Sequence, residues 1–147
     1  TAASAPPGFG ALADPAGWTL FALMFVWQIP HFLAIAWMYK DDYAQGGYAV
    51  LPTRDPTGQR TAVTIAVWTW LLLFATIAPA LYMPRSLGAI YVGVALVSGL
   101  VFAWFAFRLV RRLERRDART LFFGSIIHLP ILMIAMVTEA MVRVVIR

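Results

Sequence analysis

The sequence has no cysteine, a single lysine, two histidines and seven acidic residues among its 147 positions. Without thiols there is no disulfide scaffold, no thiolate-ligated metal and no cysteine nucleophile. Charge of either sign is scarce, at 13% of residues against roughly 25% in a soluble domain. That scarcity is concentrated. Residues 15–39, 61–84, 86–107 and 120–138 contain no Asp, Glu, Lys or Arg, and each run reaches the ~18–20 residues that cross a ~30 Å hydrocarbon layer. With 61% hydrophobic residues and a mean hydropathy of +0.75, a soluble globular domain and a disordered chain are both excluded.

In hydrocarbon such runs must satisfy their own backbone groups, which a single segment does only as a helix. The sequence therefore predicts an all-α integral membrane helix bundle, with helices over about 15–39, 61–83, 87–107 and 120–141. Asp14-Pro15 supplies a capping carboxylate and a first-turn proline for the first of them. Ala95, Gly99 and Ala103, four residues apart, form a small-residue stripe suited to close helix packing. Trp18 and Tyr82 fall at span ends, where interfacial aromatics belong. The polar connections are loops over 40–60 and 108–119, which hold nine of the twelve basic residues and therefore face the cytoplasm. The stretch 1–14, with Pro6-Pro7-Gly8, is then a short connection on the outer side. The net charge of +5 is a topology signal and an attraction to anionic lipid, not a nucleic-acid footprint.

Three features exceed what membrane residence requires. The loop opens on Lys40-Asp41-Asp42-Tyr43 and continues through Gly46-Gly47-Tyr48. Adjacent carboxylates following a helix C-terminus call for a cation, and Mg²⁺ is typically held by one or two carboxylates plus phosphate oxygens. Second, His31 and His128 each lie nine residues from a basic residue at the same membrane face, Lys40 and Arg119, so each sits ~13 Å deep. Pro30 directly precedes His31, Pro130 follows His128 by two residues, and Gln28 shares a helix face with His31. Intramembrane ionisable groups point to function, although helix packing with partners such as Ser125 and Gln28 would also account for them. Third, Arg108, Arg111, Arg112, Arg115, Arg116 and Arg119 form one basic stripe if helical, either a lipid anchor or a guanidinium comb for an anion such as diphosphate or propionate.

Trp27-Gln28-Ile29-Pro30-His31-Phe32, Lys40-Asp41-Asp42-Tyr43 and Gly46-Gly47-Tyr48 resemble the second signature region of the protohaem IX farnesyltransferases, the haem branch of the UbiA-type intramembrane prenyltransferases. Arg119 to Ser125, continuing through His128-Leu129-Pro130, is similar to the start of that family's last helix. The resemblance implies a nine-helix bundle of which these four helices are the last. It implies transfer of a farnesyl group from farnesyl diphosphate to a vinyl side chain of haem B, giving haem O and diphosphate, with Mg²⁺ as cofactor and haem as substrate. Carried over by position, Asp41 and Asp42 hold the metal. Lys40 acts with them, and Lys40, Tyr43, Arg54, Arg60 and Arg119 face the diphosphate. His31, His128, Gln28 and Trp27 meet the haem.

The family's earlier Asn/Asp-rich motif has no counterpart before residue 40. The chain is therefore expected to be the C-terminal part of one prenyltransferase domain and inactive alone. A bacterial inner membrane is expected, with a mitochondrial inner membrane as the alternative, and a haem O-oxidising enzyme as a downstream partner. Two other readings stay open: a b-type cytochrome subunit binding haem through His31 and His128, and a UbiA-type enzyme with an aromatic acceptor.

Overall fold

The computed structural model describes residues 14–146. The expected outer connection, Asp14 apart, and Arg147 lie outside them. Four long helices, α1 (Pro15–Met38), α4 (Gln59–Tyr82), α5 (Ala89–Arg112) and α6 (Arg115–Val145), are each long and apolar enough to cross a membrane. Two short ones, α2 (Lys40–Gln45) and α3 (Leu51–Arg54), lie between α1 and α4. The long helices close a ring in which α1 packs on α4 and α6, and α5 packs on α4 and α6. This is the up-down arrangement that short connections favour. The chain is an all-α, membrane-embedded bundle.

The core has two layers. Leu23, Leu87, Tyr91, Ala95, Leu132 and Ala135 fill the end nearer the turn after α4. Trp37, Ile65, Leu72, Phe102, Leu109 and Leu121 are among those filling the end nearer α2 and α3. The stripe Ala95, Gly99 and Ala103 is buried. A Cβ on Gly99 would run into Leu73 of α4, so the missing side chain is what sets the α4–α5 approach. Trp18 and Tyr82 are exposed at the span ends.

Several expected boundaries are corrected. Residues 108–119 are not a loop: α5 continues to Arg112, α6 starts at Arg115, and only Leu113 and Glu114 connect them. Arginines carry a helix beyond hydrocarbon by extending their heads to water. Here Arg108 also reaches across the turn to the buried Asp117, 2.7 Å away. Leu113 makes the turn in the left-handed region (φ 57°), and its side chain packs against the core. The last helix runs past 141 to Val145 because Glu139 and Arg143, four residues apart, pair along it. Leu87 belongs to the turn before α5 and is buried there. The expected 40–60 loop contains α2, α3 and the first residues of α4.

The turn end of the bundle is closed by side chains from other helices. The first amides of α5 have no cap of their own, and the buried Glu139 of α6 accepts from the amide of Tyr91 at 2.7 Å. Arg143 donates to Glu139 at 3.3 Å and to the Pro84 carbonyl at 3.1 Å. The Tyr91 hydroxyl donates to the Thr76 carbonyl of α4 at 2.7 Å. One carboxylate thus ties the last two helices and their preceding turn together. Glu139→Ala should cost about 1 kcal/mol, as loss of a helix cap does, and lower the thermal midpoint of the intact protein in detergent. Glu139→Gln should cost less; equal melting of all three proteins would refute the capping role.

Candidate functional site at the charged end of the bundle

Tyr39 breaks the α1 geometry (φ −110°, ψ 25°) and α2 restarts at once. Asp41 and Asp42 therefore lie in the first turn of a new helix, where the dipole favours carboxylates, rather than beyond the C-terminus of α1. The expectation that a cation must offset an unfavourable helix end is corrected accordingly. Lys40 and Asp41 line a cleft of about 180 Å³ with Trp37, Asp55, Gly58 and Arg115 among its other walls. Gly58 has φ +75°, and the Trp37 ring occupies the place a Cβ would take. Asp42 stands exposed beside the cleft rather than lining it, and Tyr43 packs edge-on against Tyr48 with centroids 5.9 Å apart. Arg54 and Arg60 are exposed, and neither lines this cleft. Among the described residues, the side chains of Lys40, Asp41 and Asp42 form no ion pair and no hydrogen bond.

Asp55 escaped the sequence reading. It is buried, and its carboxylate accepts from the Thr61 amide at 2.8 Å, the Thr61 hydroxyl at 2.9 Å and the Thr57 hydroxyl at 3.2 Å. Burial alone would raise its pKa, but these bonds and the Gly58 amide outweigh burial and hold it below the ordinary carboxylate value. The signal was present as Asp55-Pro56-Thr57-Gly58, separated only by Gln59 and Arg60 from the charge-free run that starts at Thr61.

A second cleft, of about 560 Å³, opens between the end of α1 and the start of α6. Met38, Tyr39, Phe122 and Phe123 form its apolar walls, and Arg115, Arg116 and Arg119 supply its charge. Arg119 lies 5.7 Å from the Phe123 ring centroid, within cation–π range. Arg115 borders both clefts. The sequence stripe is thereby divided: Arg108 is committed to Asp117 and Arg111 sits over Phe107, while Arg115, Arg116 and Arg119 line an open cleft.

Deeper in the same α1–α6 contact lies His31. Its ring stacks on Trp27 (4.6 Å) and on Phe122 (5.1 Å). Its Nδ1 is 2.7 Å from the Ser125 hydroxyl, and Trp27 Nε1 donates to the Ser125 carbonyl at 2.9 Å. The single Ser125 proton goes to the Phe122 carbonyl at 2.6 Å. The Ser125 hydroxyl thus contacts both the Phe122 carbonyl and His31 Nδ1. Trp27, Gln28 and His31 line one groove with Phe21, Phe25 and Phe32.

His128 is not brought to that groove. It is 3% exposed, stacks on Phe102 at 5.5 Å, and borders an apolar cavity of about 550 Å³ between α5 and α6. Among the described residues, neither of its ring nitrogens has a hydrogen-bond partner. No residue lines both histidine cavities. Equal depth did not mean one site, because helix rotation separates the two rings. A bis-histidine haem held between them, as a b-type cytochrome needs, finds no support in this arrangement.

A model of the UbiA prenyltransferase family matches residues 1–127. The chain belongs to that family. It is 41% identical over 125 residues to a protein of Opitutus terrae named protoheme IX farnesyltransferase, covering 84% of this chain and 41% of that one. Proteins of the same name from Solibacter usitatus and Koribacter versatilis are 37% and 36% identical, over 86% and 91% of this chain. The chain spans less than half the length of each of these curated relatives. No solved structure matches it.

The depressed Asp55 pKa carries a sign. A carboxyl whose pKa is lower in the folded state stabilises above its unfolded value, near 3.9, and that contribution is lost as pH falls through the folded value. Wild type should lose stability on acidification through this range, whereas Asp55→Asn should start about 1 kcal/mol lower with a flatter acid limb. Thermal melting of both proteins between neutral and acidic pH measures the difference; parallel acid limbs would remove Asp55 from the account.

Proposed function

We propose that this chain is the C-terminal part of a protohaem IX farnesyltransferase. In the reaction, the C1–oxygen bond of farnesyl diphosphate breaks and diphosphate leaves. A carbon–carbon bond forms to a vinyl group of haem B, and water supplies the hydroxyl of haem O, releasing a proton. The observation that carries this reading is the cleft holding Lys40 and Asp41 at the membrane face, in a chain whose relatives bear that name. The aromatic-acceptor alternative has no comparable support, because these relatives share the haem name.

UbiA-type prenyltransferases generally depend on Mg²⁺, and the residues present fit part of such a site. Asp41 and Asp42 are adjacent, exposed and uncommitted, which suits a metal that takes one or two carboxylates and completes its shell with water and phosphate. Among the described residues no group of three or more His, Cys, Asp or Glu forms a cage. Asp41 and Asp42 would hold Mg²⁺, which neutralises charge developing on a diphosphate leaving group. Lys40 and Arg115, on the walls of the same cleft, bind and orient that anion. Exposed Arg54 and Arg60, which do not line the cleft, contribute to the field at this face rather than to the contact. His31, Trp27 and Gln28 offer the acceptor an aromatic, water-poor groove. The remaining half of the metal site belongs to the Asn/Asp-rich motif of the longer protein. The product would pass to an enzyme that oxidises haem O.

The full-length enzyme in membranes, given haem B, farnesyl diphosphate and Mg²⁺, should form farnesylated haem, detected by chromatography and mass. Asp41→Asn and Asp42→Asn should each lower kcat/KM by at least ~100-fold, the scale of losing one electrostatic stabiliser of a leaving group. His31→Ala should act chiefly on the haem KM. Wild-type turnover matched by Asp42→Asn would remove the metal role. For orientation, we place the α2–α3 side at the cytoplasm of a bacterial inner membrane. In a cysteine-free background, Ala49→Cys should then react with an impermeant maleimide only in inside-out vesicles, and Ser86→Cys only in right-side-out ones.

A further inference from the structure

Two clefts open on one membrane face, and their chemistry differs. The cleft of Lys40 and Asp41 carries carboxylates, two lining it and Asp42 beside it. The larger cleft has three guanidiniums, two phenylalanines and no carboxylate. Among the described residues, the side chains of Arg115, Arg116 and Arg119 make no ion pair and no hydrogen bond, in contrast to Arg108 and Arg143. An anion already loaded with Mg²⁺ is at home beside carboxylates; a free carboxylate is repelled by them and belongs with unpaired guanidiniums, which take it in bidentate fashion.

The cationic cleft also has an apolar continuation. Phe122 lines it and stacks on His31, so its floor leads directly into the Trp27–His31 contact. Along α6, Ser125, which His31 touches, lies six residues beyond Arg119, ~9 Å deeper at 1.5 Å per residue. That is less than the width of a porphyrin. The surface from Arg116 and Arg119 over Phe122 to His31 and Trp27 is therefore charged at its rim and aromatic below.

We infer that Arg115, Arg116 and Arg119 bind the carboxylate edge of the acceptor, so that a flat, apolar dicarboxylic macrocycle enters with its propionates at the membrane surface and its ring on Phe122 and Trp27. This rests on the acceptor being haem, as proposed above. It takes Arg119 away from the diphosphate and makes the cleft a determinant of acceptor specificity. The farnesyl donor keeps the carboxylate-bearing cleft, and Arg115 stands between the two anions.

The test uses the full-length enzyme with haem B and with its dimethyl ester, whose propionates carry no charge. Wild type should show a KM for the ester about 10- to 100-fold above that for haem B, the scale of one charge-assisted contact. Arg116→Gln/Arg119→Gln should raise the KM for haem B by a similar factor and leave the KM values for the ester and for farnesyl diphosphate unchanged. A Soret titration without farnesyl diphosphate should show the same loss of haem affinity, with partial recovery in Arg116→Lys/Arg119→Lys. Equal use of haem B and its ester by wild type would overturn the inference. So would a rise in the farnesyl diphosphate KM, which returns the arginines to the donor, or a change confined to binding of phosphatidylglycerol vesicles, which makes them a lipid anchor. Should wild type form no farnesylated haem, the proposed activity fails; the carboxylate inference is then decided by whether the titration distinguishes haem B from its ester.

Discussion

An ionised side chain within hydrocarbon costs about 3 kcal/mol even by the mildest scale, and that penalty organises this molecule. It clears four runs of charge and, among the described residues, sends Asp, Glu, Lys and Arg to one end of the bundle or the other. The two ends then diverge. At the turn after α4, Glu139 and Arg143 are spent on the Tyr91 amide, on each other and on the Pro84 carbonyl. That end is closed. At the opposite end the buried carboxylates are also engaged, Asp55 by Thr57 and Thr61 and one oxygen of Asp117 by Arg108. Their pairing fixes the start of α4 and the α5–α6 turn. The exposed charges beside them, Lys40, Asp41, Asp42, Arg115, Arg116 and Arg119, are left with water and whatever binds there.

Inside the span the same economy applies to neutral polar groups. Ser125 is fully buried, and its hydroxyl and carbonyl between them engage Phe122, His31 and Trp27. Ser125 thereby ties both Trp27 and His31 of α1 to α6. His128 has no such partner, and the two histidines, alike in sequence context, differ in this respect more than in depth.

Much of this was legible beforehand. Charge-free runs announce spans because the energetic rule is strict, and Asp14-Pro15 marks a helix start because a cap is local: Asp14 does accept from the Ala16 amide at 2.9 Å. Reading charge as loop hid the helical arginines of 108–119 and the tail of α6, since a guanidinium on a long stem satisfies both a helix and water. The histidine pairing was overread because depth follows from counting residues along one helix, whereas a shared site depends on rotation and neighbours, which counting does not supply. Asp55 caps α4 from six residues away or less, and its Asp-Pro-Thr-Gly context is a local signal. Glu139 caps α5 across 48 residues of sequence, and a nonlocal cap leaves no spacing to recognise.

The correction at the α5–α6 turn bears on the chemistry. Were residues 108–119 a loop, Arg115, Arg116 and Arg119 would be tethered loosely, and any anion they met would have to order their backbone first, at roughly 1–2 kcal/mol for each residue fixed. As the opening turns of α6, their backbones are rigidly continuous with Phe122 and Ser125, so the cationic rim and the aromatic floor keep a fixed offset. A rigid planar ligand rewards such preorganisation, because its charged edge and its apolar face are themselves held at a fixed separation. A flexible anion gains less from it. Helix geometry thus divides this end of the bundle into a cleft that carries carboxylates and a cleft lined by none among the described residues.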